Sequence, residues 1–324
     1  MTYEINEAIP ILKKLLSKEK LNIFVGSGIS IDSGIPNWDG MIDSFLKMAS
    51  EIKFSEDKDK EDVNKLFNLA NQRKGNQRFN PIEIATVLRG KLDSCDEIHL
   101  DTTLAFNTYK NWLSETFHSK KYNSKHKIIT ATNYPFILTS NYDPLLENAA
   151  FDQGYTTFGA RQSFDYKDET EILKAINNEV SSIFHVHGKS SKLEIKDLIF
   201  TKEDYNTIIL KRYPGFSFAL RILFSRYSTL FVGYGASDPH LEEVLEELSE
   251  YFPNKNGDNG LPHSFLVTLR DKNDLILEKY KERVGVNIIL IDSYEQYEKL
   301  LEPLKNSNPR KIYEKRSKSK INRR

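Results

Sequence analysis

Two short stretches hold the side chains best suited to chemistry. One is Ser140-Asn141-Tyr142-Asp143-Pro144, directly after the apolar run 135–139. The other is His185-Val186-His187-Gly188, which closes the run beginning at Ser182. An imidazole, with an ordinary pKa of ~6.5, can take a proton at neutral pH. Two other readings stand beside that one. His185 and His187 share a face for as long as a strand lasts, so they could pair on a metal, although no third ligand is evident nearby. Either could instead be a structural histidine bonded to a carbonyl. Asn141 and Asp143 also suit caps and turns, since a helical segment, LLENAA, follows them.

A third stretch is suited to binding. Residues 21–40 read LNIFVGSGISIDSGIPNWDG. An apolar run breaks into Gly26-Ser27-Gly28 and passes through Ser30 and Gly34 to Ile35-Pro36-Asn37-Trp38. A strand entering a tight glycine turn and then a helix start presents backbone N–H groups to a phosphate. On that reading the first glycine permits the turn and the second lets backbone approach a pyrophosphate. A Gly-x-Gly pair alone is weak evidence, and Gly34 falls too late for the usual dinucleotide fingerprint.

The positioning elements follow from periodicity. Ile5, Ala8, Ile9, Leu12 and Leu16 have helical spacing ahead of the first strand. From Met41 to about Ala131 strand signals vanish, and helices are expected at 45–54, 63–72, 81–92 and 104–117, with a charged stretch at 55–62. Strands resume at 135–139 and 182–188, with a short one at 197–200 before helices at 201–212 and 215–227. Residues 229–239, TLFVGYGASDP, form a second apolar strand ending in glycines, where Asp238 suits an N-cap and Pro239 the first helical position. Strands at 264–269 and 286–291 flank a crossover helix at 271–284, and a last helix follows at 293–304. This alternation predicts an α/β, Rossmann-like parallel sheet with helices on both faces and a helical insertion after the glycine loop.

The string GSGISIDSGIP (26–36) resembles the first motif of the sirtuin family, with Ser27 in place of an alanine. LTSNYD (138–143) is similar to its second motif, with Ser140 for glutamine, and His187-Gly188 to its catalytic His-Gly pair. FVGYGASDPHLEEVL (231–245) looks like a fourth motif of the sirtuin-like NAD hydrolases. Asn37-Trp38-Asp39 replaces the family's Asp-Phe-Arg, which is closer to the prokaryotic, anti-phage branch of those hydrolases than to the protein deacylases.

The resemblance implies a reaction: hydrolysis of the nicotinamide–ribose bond of NAD. It implies Asn141 on the ribose or the water and His187 as general base. Gly26, Ser27, Gly28, Ser30, Gly34, Pro36, Asn37, Asp143, Gly233, Ser237 and Asp238 are implied around NAD. Asn141 and His187 are expected at a solvent-facing cleft. A protein deacylase and a non-catalytic NAD or ADP-ribose sensor are the alternatives.

Composition limits the rest. Lys and Arg total 46, as do Asp and Glu, for a net charge of zero. Residues 305–324 hold nine Lys/Arg and one Glu, a net +8, leaving −8 on the other 304 residues. A domain over 1–304 with insertion 41–131 and a basic tail at 305–324 is the expected organisation. No run approaches ~18 apolar residues, so no membrane span is expected, and the N-terminus lacks a signal-peptide pattern. The single cysteine, Cys95, excludes an intrachain disulfide and a cysteine-based zinc site within this chain. A cytoplasmic setting fits. NAD is then the only small molecule implied, with no zinc. The expected partners are a second copy of the chain or a second defence protein, with nucleic acid possible through the tail.

Overall fold

The computed structural model describes residues 1–51, 61, 64–65, 68, 85–87, 89, 102–154, 162–192, 197–199, 202–235, 239–251, 263–270 and 285–305. Eight strands form one sheet: β1 (Thr2–Glu4), β2 (Leu21–Val25), β3 (Phe136–Thr139), β4 (Gln162–Asp165), β5 (Ser182–His185), β6 (Ser228–Val232), β7 (Phe265–Leu269) and β8 (Asn287–Ile291). Their order is β1-β8-β7-β6-β2-β3-β5-β4, and every pairing is parallel. The chain leaves β2 toward β3 and β5, then returns to the other side of β2 with β6. That reversal makes the gap between β2 and β6 the topological switch point of a doubly wound sheet.

Strand residues alternate between two cores. Phe24, Phe136, Leu138, Phe184 and Phe231 point to one face, under α6 (Glu169–Asn177), α7 (Pro214–Arg226) and α8 (Pro239–Tyr251). Ile23, Val25, Ile137, Ile183, Leu230 and Val232 point to the other, under α1 (Ile5–Ser17), α4 (Ser124–Ala131) and α9 (Gln296–Leu301). All five residues of β2 and of β6 are buried, as a parallel sheet covered on both faces requires.

A third core stands apart from both faces. It joins α2 (Trp38–Glu51) and α3 (Thr102–Leu113) through Phe45, Leu46, Tyr109 and Trp112, and takes in Tyr142 and Leu145 from the start of α5 (Leu145–Asp152). Only helices and turns occur among the described residues between β2 and β3. The helices expected at 63–72 and 81–92, the crossover helix at 271–284 and the tail beyond Lys305 lie wholly or largely outside the described residues. No helix among the described residues is long and apolar enough to cross a membrane.

Three expectations change. β1 and β4 are edge strands that the apolar pattern did not reveal. Residues 197–199 are not a strand: Tyr142 Oη receives the Ile199 N–H at 3.4 Å and donates to its carbonyl at 3.3 Å, while the Arg89 guanidinium bonds the Leu198 carbonyl. Side chains thus satisfy backbone that would otherwise need a neighbouring strand. β5 stops at His185, so His187 lies on the following turn and the two histidines do not share a strand face.

The glycine loop also departs from the expected strand–turn–helix. Two single 3₁₀ turns, Ser27–Ile29 and Ile31–Ser33, follow β2, and α2 begins only at Trp38, where the Gly40 N–H donates to Asn37 Oδ1 at 2.9 Å. The glycines are required within the chain itself. The Gly26 N–H donates to the Val232 carbonyl and the Gly28 N–H to the Gly233 carbonyl, both at 2.9 Å. A Cβ on Gly26 would stand 2.4 Å from the Gly233 oxygen, and one on Gly233, at φ +63°, would stand 2.6 Å from Ile29 N.

Gly26→Ala should therefore cost at least ~2 kcal/mol, because the atoms it meets are backbone. Gly34→Ala, whose nearest neighbour is the movable end of Lys120 at 3.7 Å, should cost only ~1 kcal/mol from its φ of +80°. Urea unfolding of both variants tests the ranking; a larger loss at Gly34 would contradict the loop-to-loop packing.

Candidate active site

The register of the sheet brings the candidate residues to one edge. Val25 pairs with Thr139 and with Val232, and Thr139 pairs with His185. Gly26, Asn141, His187 and Gly233 therefore follow, by one or two residues, the carboxyl ends of four neighbouring strands, β6-β2-β3-β5. At ~4.8 Å per strand, that edge runs about 14 Å. Ligands of open α/β sheets bind at this edge.

Asn141 is the most connected of them. Its backbone N–H donates to Thr139 Oγ1 at 3.0 Å, and that hydroxyl donates to the Val25 carbonyl at 2.8 Å. Its side-chain Nδ2 donates to Ser30 Oγ at 3.1 Å and to the Gly26 carbonyl at 3.3 Å. Its own carbonyl accepts from His185 Nδ1 at 2.8 Å. Asn141 and His187 are each only 8% exposed. Both are more enclosed than a solvent-facing cleft would make them.

Ser30 is fully buried. Beyond Asn141 it meets His126 Nε2 at 3.1 Å. His126 sits at the third position of α4, and its Nδ1 lies 2.8 Å from Oδ1 of the capping Asn123, which also donates to the Ile29 carbonyl at 2.8 Å. Nδ1 also faces the Asn123 N–H at 3.3 Å, which closes a capping box, and Nε2 shares a hydrogen bond with the Ser30 hydroxyl. Burial first, then the neighbouring Lys125 charge, pull the His126 pKa down to about 4, so the ring stays neutral in this role. Ser30, expected on NAD, is thus buried between Asn141 and His126. Sequence reading missed His126. The Asn-x-x-His spacing, that of a capping box, was the available signal.

His187 follows Val186, whose N–H still donates to the Thr139 carbonyl at 2.8 Å, and precedes Gly188 at φ +99°. Its ring lies 6.4 Å from the Tyr142 ring, tilted by 42°. The loop is held down by the Ser190 N–H, 2.9 Å from the Tyr142 carbonyl, and by Ser190 Oγ, 2.8 Å from His118 Nε2.

Asp143 is 2% exposed and accepts the Leu145 N–H at 3.1 Å, while its Oδ2 is buried without a hydrogen bond. Burial is the main reason its pKa rises to about 6. The Leu145 N–H, Ser30 and His185 pull against that rise and Glu147 adds to it.

Of the remaining candidates, Ser27 and Gly28 are half-buried beside the β6 turn, Gly233 donates its N–H to Tyr297 Oη at 3.0 Å, and Asn37 caps α2 just after Pro36. Ser237 and Asp238 lie outside the described residues.

Residues 135–289 match the family model described as a SIR2-like domain. That stretch runs from β3 into β8 and includes Asn141, Asp143, His185 and His187; the glycine loop precedes it. The chain is 22% identical over 311 residues to a protein named NAD(+) hydrolase ThsA from Cytobacillus dafuensis, covering 90% of this chain and 54% of that one. It is 20% identical over 316 residues to a ThsA of Enterococcus faecium, covering 91% and 57%. It is 23% identical over 251 residues to Defense-associated sirtuin 2 of Bacillus subtilis, covering 74% and 20%. The chain thus spans about half the length of the ThsA relatives and a fifth of the defence sirtuin.

The raised pKa of Asp143 has a signed consequence. A carboxyl that binds its proton more tightly when folded favours the folded state at low pH, and that contribution is lost as pH rises through about 6. Asp143→Asn keeps an acceptor for the Leu145 N–H without the charge. Between about pH 4 and 7 the wild type should lose roughly 2 kcal/mol relative to this variant. Urea midpoints of both proteins at the two pH values measure it; identical pH dependence would mean that the carboxyl ionises at no cost.

Proposed function

We propose that this chain, which carries a SIR2-like domain, hydrolyses the nicotinamide–ribose bond of NAD to nicotinamide and ADP-ribose. The observation that carries the reading is the state of the Asn141 amide. Its N–H donors are engaged by Ser30 and Gly26, so its oxygen is the atom left to meet a ligand. A fixed acceptor orients a ribose hydroxyl or a water, and hydrolysis at an oxocarbenium-like centre needs both held in place. His187, on the neighbouring strand end, takes the proton from the water or the hydroxyl. The loop residues Gly26, Ser27, Gly28, Gly34, Pro36, Asn37 and Gly233 frame the rest of NAD, and Ser237 and Asp238 are assigned to it by the resemblance of their motif. The names of the ThsA relatives support NAD as substrate. With one cysteine, this chain has no four-cysteine zinc module of the deacylase kind, and we assign it no zinc.

The wider role that fits is a gated effector of anti-phage defence that acts by depleting NAD. The gate is assembly into a homo-oligomer or docking of a second protein. The third core supports a gate through the helical layer, because α2 and α3 pack on Tyr142, between Asn141 and Asp143.

His187→Ala and Asn141→Ala should each lower nicotinamide release by ~10²–10⁴-fold. His187→Ala should keep its melting curve, whereas Asn141→Ala should also lose ~1–3 kcal/mol from its buried bonds. Release should not require acyl-peptide. O-acyl-ADP-ribose formed only with acyl-peptide would make the chain a deacylase, and NAD bound intact would make it a sensor. For the gate, the isolated chain should turn over slowly; a monomer with full activity, unchanged on removal of 305–324, would refute it.

A further inference from the structure

His185 is fully buried, and neither of its ring nitrogens faces water. Nδ1 lies 2.8 Å from the Asn141 carbonyl oxygen and Nε2 lies 2.8 Å from Glu147 Oε1. A carbonyl has no proton to give, so Nδ1 must carry one. Oε1 is already an acceptor, because Lys189 Nζ donates to Ser163 Oγ at 3.0 Å and turns the Ser163 hydroxyl proton onto it. Ser163 donating to that oxygen and the Lys189 ammonium beside it both favour the carboxylate over the acid, so Nε2 donates as well. A ring with two donors is an imidazolium, and its charge is matched by Glu147, with Lys189 Nζ 3.6 Å from the same oxygen. Asp143 is the other ionisable group whose charge reaches the ring.

We propose that His185, held as an imidazolium by Glu147 on α5, is the positioning residue for Asn141, fixing the backbone of the residue whose amide oxygen meets the substrate. The pair acts from beneath the site and touches no reacting atom. Ionisation follows the same geometry: burial raises the Glu147 carboxyl, but His185 first and then Lys189 and Ser163 bring it down to about 2. Burial lowers the His185 pKa, and the charge and hydrogen bond of Glu147, with the Asn141 carbonyl, together more than reverse that. Asn141 is then held at three points: its side chain by Ser30, its N–H by Thr139 and its carbonyl by His185. Ser163 belongs to the edge strand β4, so that strand also supports the clamp. The catalytic consequence rests on the NAD-cleaving reading of the site; the positioning itself does not.

The test uses the full chain labelled with ¹⁵N-histidine. Both His185 nitrogens should show N–H shifts and couplings between about pH 6 and 8. A bare ring nitrogen in that range would overturn the proposal. Two variants then separate positioning from packing, and both remove the imidazolium from Glu147. His185→Asn keeps a donor near the Nδ1 position, whereas His185→Leu fills the space without one. Amide exchange at Ser140, Asn141, Tyr142 and Asp143 should be at least ~10-fold faster in the leucine variant than in the asparagine variant. The kcat for nicotinamide release should fall by ~10–100-fold with leucine, less with asparagine, and KM should move little. Equal exchange and equal kcat in the two variants would reduce His185 to a packing residue. A wild type that leaves NAD intact would remove the NAD reading alone, since the ring shifts and the exchange ranking still decide the positioning. They also decide it from the wild type and the asparagine variant, against unlabelled loop exchange, if the leucine variant does not fold.

Discussion

The hydrogen bond from the Asn141 amide to the Ser30 hydroxyl joins the loop after β3 to the loop after β2, and the rest of the carboxyl edge is arranged around it. Both residues are out of water, and a buried polar atom left unpartnered costs ~1–3 kcal/mol. Each partner therefore needs a further partner. Ser30 turns to His126, His126 to Asn123, and Asn123 to the Ile29 carbonyl, which closes a ring back onto the glycine loop. On the other side, Asn141 leans on Thr139 and His185, and His185 on Glu147. Such a network rigidifies its members in proportion to how fully it is satisfied.

The glycine loop meets a different constraint at the same edge. In many doubly wound sheets a helix starts at the glycine turn and turns its N–H groups on a phosphate. Here the N–H groups of Gly26 and Gly28 are engaged by Val232 and Gly233 carbonyls, and α2 starts ten residues after Gly28. The switch point between β2 and β6 is closed by backbone lying on backbone. Whatever the edge binds meets side chains and turns that are already fixed, so little reorganisation remains to be made on binding.

The sheet was legible because its inner strands are buried on both faces and read as continuous apolar runs: LNIFV, FILT, STLFV, FLVTL and NIILI. The edge strands β1 and β4, TYE and QSFD, are short and mostly polar, and nothing in their pattern separates them from loop. The apparent strand at Leu198-Ile199 is apolar because it packs, not because it pairs: its backbone is tied to Tyr142 and Arg89. At the site, Asn141 and Asp143 stood out by following a strand and His187 by closing one. His126 and Glu147 did not, since their partners lie 96 and 38 residues away and only the folded sheet brings them together.

His185 and His187 show how much depends on where one strand stops. β5 ends at His185, which still pairs with Thr139 and places its ring under α5 against Glu147. One residue later the chain turns, and Gly188 at φ +99° completes a bend that puts the His187 ring beside Tyr142. Had the strand run on, as the sequence suggested, both rings would have shared one face and either could have served as a base. An imidazolium held between a carbonyl and a carboxylate has no lone pair with which to take a proton. His185 is thereby removed from proton transfer however near it lies. Two identical side chains, one valine apart, are set apart by the backbone alone: one ring lies under α5 between Glu147 and the Asn141 carbonyl, the other beside Tyr142.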